Sequence, residues 1–107
     1  MSDDVLVQLA ATIGARRASA PDGSYTRQLL DAGPARCAKK FGEEAIETVI
    51  AGAGESDEAL KAEAADLLYH LLVLLESRGV AIADVLAVLD KRSGVSGLKE
   101  KADRSKR

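Results

Sequence analysis

The stretch KKFGEEAIE, Lys39 to Glu47, sets three carboxylates within five positions, behind two lysines and ahead of apolar sequence. A second acidic pair, Glu63 and Asp66, follows, with His70 one helical turn beyond. Glu44/Glu47 and Glu63/Asp66 are each spaced i, i+3, so on helices each pair points one way from its own axis. Neighbouring carboxylates repel, and an unpaired one taken out of water costs several kcal/mol or takes up a proton. Either these acids form a solvated face, or something positive sits among them. Two such pairs brought face to face would make an all-oxygen site, a donor set that suits Mg²⁺ or Mn²⁺ over zinc. A single Mg²⁺ ordinarily takes one or two carboxylates plus waters and substrate phosphates, so four imply more than one ion or acids in an outer shell. The expectation is at least two ions when substrate is bound.

The elements that must position these residues are helices. Apolar residues at 5, 6, 9, 10 and 13 mark one face of a first helix over Val5 to Arg17. Residues 18–23 hold Pro21 and the turn pair Asp22-Gly23. Ser24 caps a short helix, YTRQLLDA, which Gly33 ends, and Pro34 suits the first turn of a third helix over about 34–51. Gly52, Gly54 and Ser56 make the next turn, with Ser56 as N-cap and Asp57 and Glu58 in the favourable first turn. A fourth helix runs from Asp57 to Arg78, Gly79 stops it, and a last one covers about 82–92. No strand pattern is present, so the fold class is all-α, a bundle of about five helices. The division is a helical domain over 1–92 and a basic tail over 93–107.

On the third helix Lys40, Glu43, Glu44 and Glu47 share one stripe, bordered by Ala45, Ile46, Val49 and Ile50. On the fourth, leucines, a valine and a tyrosine point in nearly every direction around Glu63, Asp66 and His70. A helix apolar all round is a buried one, so those three side chains are expected to head into an interior or the floor of a cleft. Glutamates spaced i, i+3 are by themselves more often a solvated face; the apolar setting of the second pair is what favours a metal.

Composition narrows the classes. With 107 residues there is room for one domain, and Tyr25, Phe41 and Tyr69 are all the aromatics. One cysteine, Cys37, precludes an internal disulfide and fits a reducing compartment, where it reads as inert packing. The acidic N-terminus resembles neither a secretory signal nor a transit peptide, and the uncharged run Leu67 to Leu75 is too short to cross a bilayer. These features describe a soluble cytoplasmic protein with no membrane partner. Residues 91–107 carry seven Lys/Arg against two Asp/Glu, within a chain of net charge −2. Basic charge confined to the tail and the lack of aromatics for base stacking argue against nucleic acid.

Taken together, EExxE followed by ExxD resembles the all-α nucleotide pyrophosphohydrolase superfamily. Within it, SYTRQLL at 24–30, KKFGEE at 39–44, EAADLLYHLLVLL at 63–75, DVLAVLDKR at 84–92 and SGLKEKADR at 96–104 resemble the phosphoribosyl-ATP pyrophosphatases of histidine biosynthesis. The resemblance implies Mg²⁺-dependent hydrolysis of phosphoribosyl-ATP to phosphoribosyl-AMP and pyrophosphate by a dimer of helical subunits. It implies Glu44, Glu47, Glu63 and Asp66 as metal ligands, and Glu43 as the group that orients or deprotonates the attacking water. Lys40 and Lys39 are candidates for the phosphate oxygens, Lys40 with an equal claim as ion-pair partner of Glu43 or Glu44. Ser24 reads first as an N-cap, and the resemblance sets it near the nucleotide; Tyr25 could stack on a base or pad the core. In the tail Lys99, Lys101 and Arg104 are candidates for substrate phosphates. His70 reads first as a histidine donating to a carbonyl inside the bundle, and second as a hydrogen-bond partner of Asp66. Two alternatives stand beside this reading: a general nucleoside triphosphate pyrophosphatase, and a non-catalytic helical dimerisation module.

Overall fold

A computed structural model describes residues 2–19 and 24–93, and among them the backbone forms five helices and no strand. They are α1 (Ser2–Ser19), α2 (Tyr25–Ala32), α3 (Pro34–Gly54), α4 (Asp57–Ser77) and α5 (Ile82–Ser93). The long helices α3 and α4 form the principal pairing, α2 packs on both, α1 packs on α4 and α2, and α5 leans on α1.

The boundaries follow from local chemistry. Ser24 has extended backbone, and its hydroxyl accepts the Arg27 N–H, giving one orphan donor of the first turn a partner. Gly33, at φ +97°, turns the chain between α2 and α3, and Pro34 starts α3 without needing an N–H partner. Ser56 caps α4 by accepting from the Ala59 N–H at 3.1 Å, with Asp57 and Glu58 beside the positive end of the helix dipole. At the far end Gly79, at φ +69°, donates to the Glu76 carbonyl and Val80 donates to that of Leu75, the paired bonds of a Schellman stop.

The turn expected over 52–56 is shorter than the glycines suggested. α3 continues through Gly52 to Gly54, leaving only Glu55 and Ser56 between the helices. The helix runs on through these glycines despite their low propensity; at Gly52 a side chain would come within 3.6 Å of Leu60 Cδ1, an ordinary van der Waals contact that places this turn against α4. The tight connection makes α3 and α4 an antiparallel hairpin, with Gly52 against Leu60 and Thr48 against Glu63.

The core is small. Ile13, Leu29, Leu30, Cys37, Leu72 and Val73 are its buried members, ringed by half-buried Leu6, Leu9, Tyr69, Leu75 and Ile82. Cys37 lies in it with its thiol donating to the Leu29 carbonyl at 3.2 Å, a packing role. The expectation that α4 is buried on all sides does not hold for a single chain. Leu68 is 45% exposed, Asp66 is exposed and Glu63 half-buried, because among the described residues no element covers that side of the hairpin.

Candidate metal centre

On α3, residues 44, 48 and 51 recur at helical spacing and turn toward α4, so a carboxylate lies on the packing face itself. Glu44 is 7% exposed in consequence. Glu63 and Asp66 come off the facing turn of α4, and one carboxylate oxygen from each of Glu44, Glu63 and Asp66 lies within 4.8 Å of the other two. The hairpin therefore brings together three of the four acids expected as ligands. Glu47 is exposed at the edge of the group, its carboxyl close enough to that of Glu44 to share a proton with it.

The electrostatics of this cluster are unfavourable without a cation. Glu44 Oε1 is 3.7 Å from Lys40 Nζ, while Oε2 is buried and has no hydrogen-bond partner. Two ionised carboxylates cannot bond to each other, so a proton, another donor or a cation has to sit between Glu44 and an acidic neighbour in contact with it; Lys40 does this on the Glu43 side. The pKa of Glu47 is raised accordingly, first by that shared proton and then by the Glu44 charge. Glu63 is also raised, by removal from water first and then by the charges of Glu47, Asp66 and Glu55. A buried carboxylate with one unpartnered oxygen, clustered with two further carboxylates, fits a hard divalent cation: all donors are oxygen, and an ion there would relieve the repulsion.

Around the cluster stand the residues considered for substrate. Lys40 reaches Glu43 and Glu44, each at 3.7 Å, which makes it the ion-pair partner of both. Its pKa is raised, chiefly by the oxygen of Tyr25 beside it, with Glu44 and Glu43 adding. Glu43 is exposed next to Glu44, and Lys39 is exposed. Ser24 serves as the cap of α2. Lys99, Lys101 and Arg104 lie outside the described residues.

His70 is buried, and its bonds define its tautomer. Nδ1 is 2.8 Å from the Asp66 backbone carbonyl, which can only accept, so Nδ1 carries the proton of the neutral ring. Nε2 then accepts the Tyr25 hydroxyl at 2.9 Å. The partner of His70 is thus the carbonyl of Asp66 and not its carboxylate. Tyr25 and Tyr69 both meet the His70 ring edge to face, with centroids 5.9 and 5.1 Å away, and the hydroxyls of Thr26 and Tyr69 are bonded. Tyr25 is therefore tied by its hydroxyl to α4 while half of it stays open to solvent; its pKa is raised by burial, against the opposing pull of Lys40.

Two residues at the site escaped the reading of the sequence. Glu55 adds to the negative field on Glu63 from the inter-helix turn, and Thr48 bridges the two helices beneath the carboxylates. The signal for Thr48 was its place one turn after Glu44; nothing in the string of letters marked Glu55. A separate groove of about 240 Å³ lies among Val7, Ala10, Leu72, Leu75, Val80 and Ile82. It is mostly apolar and includes none of the clustered carboxylates.

A family model described as phosphoribosyl-ATP pyrophosphohydrolase matches residues 6–93, from the first turns of α1 to the end of α5. The chain belongs to the phosphoribosyl-ATP pyrophosphohydrolase family. Similar relatives carry the corresponding name. A phosphoribosyl-ATP pyrophosphatase of Dinoroseobacter shibae is 54% identical, over 94% of this chain and 98% of that protein. A phosphoribosyl-ATP pyrophosphatase 1 of Bradyrhizobium diazoefficiens is 63% identical, over 90% and 91%. Another protein of that name, from Rhodopseudomonas palustris, is 53% identical over 99% of both chains. The matched span in this member of the family contains both acidic pairs, Lys40, Tyr25 and His70.

Proposed function

We propose that this chain hydrolyses phosphoribosyl-ATP to phosphoribosyl-AMP and pyrophosphate, the second step of histidine biosynthesis, as a Mg²⁺-dependent cytoplasmic homodimer. Family membership supports the substrate and the reaction; the observation carrying the mechanism is buried Glu44, one oxygen without a partner, clustered with Glu63 and Asp66. One water is consumed: its oxygen joins the α-phosphorus, the bond from that phosphorus to the bridging oxygen breaks, and pyrophosphate leaves with the electron pair. Glu44, Glu63 and Asp66, with Glu47 at the edge, would hold the divalent ion. When bound, that ion neutralises phosphate charge and acidifies water.

The remaining work falls to side chains of this protein. Glu43, exposed beside Glu44, would accept a proton from water approaching the cluster. Lys40 lies between Glu43, Glu44 and the Tyr25 oxygen, so its ammonium is held at the lip of the site where phosphate oxygens would enter. Tyr25, with its hydroxyl committed to His70, offers a half-open ring at the same lip. Dimerisation is supported by the outer side of α3, where Ile46, Val49 and Ile50 are 62%, 69% and 55% exposed in one copy.

A pyrophosphate-release assay tests the reading, with phosphoribosyl-ATP and deoxynucleoside triphosphates compared side by side in Mg²⁺. Turnover of phosphoribosyl-ATP alone, abolished by Asp66→Asn or Glu47→Gln in variants that keep their helical circular dichroism, is the expected result. Full activity in either variant overturns the ligand assignment. Equal turnover of the deoxynucleotides overturns the substrate.

A further inference from the structure

The carboxylate cluster leaves one polar group unused. Thr48 lies one turn beyond Glu44 on α3, half-buried, in line with Glu44 and the fully buried Ala51. Its hydroxyl reaches two carbonyl oxygens, that of Glu44 at 2.9 Å and that of Glu63 at 3.2 Å. The first is the usual local bond of a helical threonine to residue i−4 and by itself marks nothing. The second crosses between helices, and among the described residues no other side-chain hydrogen bond joins α3 to α4. Both carbonyls belong to residues whose carboxylates form the cluster.

The seam beneath the cluster is otherwise smooth. Past Glu44 and Thr48, Ala51 is the buried residue of α3, and Gly52 lies near the end of Leu60. Small residues permit close approach but do little to resist sliding. A slip of one residue moves a helix by about 1.5 Å and turns its side chains by about 100° relative to the partner, enough to dissolve a ligand set. Repulsion among three carboxylates within 4.8 Å pushes in that direction whenever no ion is bound.

We propose that Thr48 is a positioning residue of the metal centre: its single hydroxyl proton, shared between the carbonyls of Glu44 and Glu63 in a bifurcated bond, sets α3 against α4 so that the carboxylates stand at ligand spacing before an ion arrives. This rests on the reading of the cluster as a divalent-metal site. Preorganised ligands lose less freedom on binding, so the role is visible in metal affinity without any substrate.

The test is titration of the full-length chain with Mn²⁺ alone, free ion being read by electron paramagnetic resonance, for wild type, Thr48→Val and Thr48→Ser. Thr48→Val preserves shape and removes the hydroxyl; its affinity should fall roughly tenfold, the low end of what lost outer-shell support costs. Thr48→Ser should restore wild-type affinity. Should the valine variant fail to fold, Thr48→Ala gives the same reading. Wild-type affinity in Thr48→Val with only a lower melting temperature overturns the inference, as does equal loss in the valine and serine variants. If the wild type itself binds no Mn²⁺, the metal reading falls as well; if it binds and Thr48→Val matches it, this inference falls alone.

Discussion

Glu44 is a buried carboxylate with one oxygen near Lys40 and the other without a hydrogen-bond partner. If its burial serves the proposed metal site, opposite effects on stability and binding are expected. Glu44→Gln should lose Mn²⁺ binding and pyrophosphate release, yet raise ion-free stability by about 1 kcal/mol, or roughly 4–8 °C in melting temperature for a domain of this size. Calorimetry and thermal melts on one preparation check both; a melting temperature that drops would show that the carboxylate is stabilising as it stands. Glu47 and Glu63 extend the argument to pH, since both have pKa values raised above the ordinary 4.5. A group that binds its proton more tightly when folded stabilises the fold fully below its unfolded pKa, and that contribution fades as pH rises through the folded value. The chelator-treated chain should therefore lose stability as pH rises above about 4.5, modestly because both groups are solvent-accessible. Adding Mn²⁺ should reverse the loss at neutral pH, and melts across pH with and without the ion measure it.

At the scale of elements, helix ends and the α3–α4 hairpin determine what the side chains can do. Ser24 was considered for substrate and is found capping α2 by accepting the Arg27 N–H. The two roles separate by measurement. Ser24→Ala should cost about 1 kcal/mol of stability with an unchanged KM, and Ser24→Asp should recover the loss. A KM that rises severalfold while stability holds would assign the hydroxyl to substrate instead. α2 also joins α4 through consecutive residues, Tyr25 to His70 and Thr26 to Tyr69, so its first turn is anchored one turn beyond Asp66. Capping and anchoring together explain how a helix of eight residues, short for isolated stability, holds its place at the edge of the site.

For the whole molecule, the mismatch between a small core and a broad apolar exterior is the governing fact. Val49 and its neighbours on α3 remain open, while the buried cluster has six members. Covering such side chains is worth about 1.5–3 kcal/mol each, which favours a second copy of the chain. Val49→Asp should convert a dimer into a species of 11.2 kDa by light scattering and lower activity with it; a wild-type chain already of that mass would remove the dimer. The all-α class, the five helices and the stops at Gly33 and Gly79 were legible in the letters because apolar spacing, Ser24, Ser56, Gly33 and Gly79 act within one or two turns, whereas the end of α3 at Gly54 was not. So were the acidic pairs, since i, i+3 spacing is a property of a single helix. Reading α4 as buried on every side went astray for the same reason: periodicity tells which directions are apolar, not what stands in each of them. That Glu44 is enclosed while Asp66 is exposed, that His70 meets a carbonyl, and that Thr48 spans the seam were decided only by tertiary packing. Burial and hydrogen-bond partnership depend on which residues a neighbouring helix brings across, a distance that does not exist until the chain has folded.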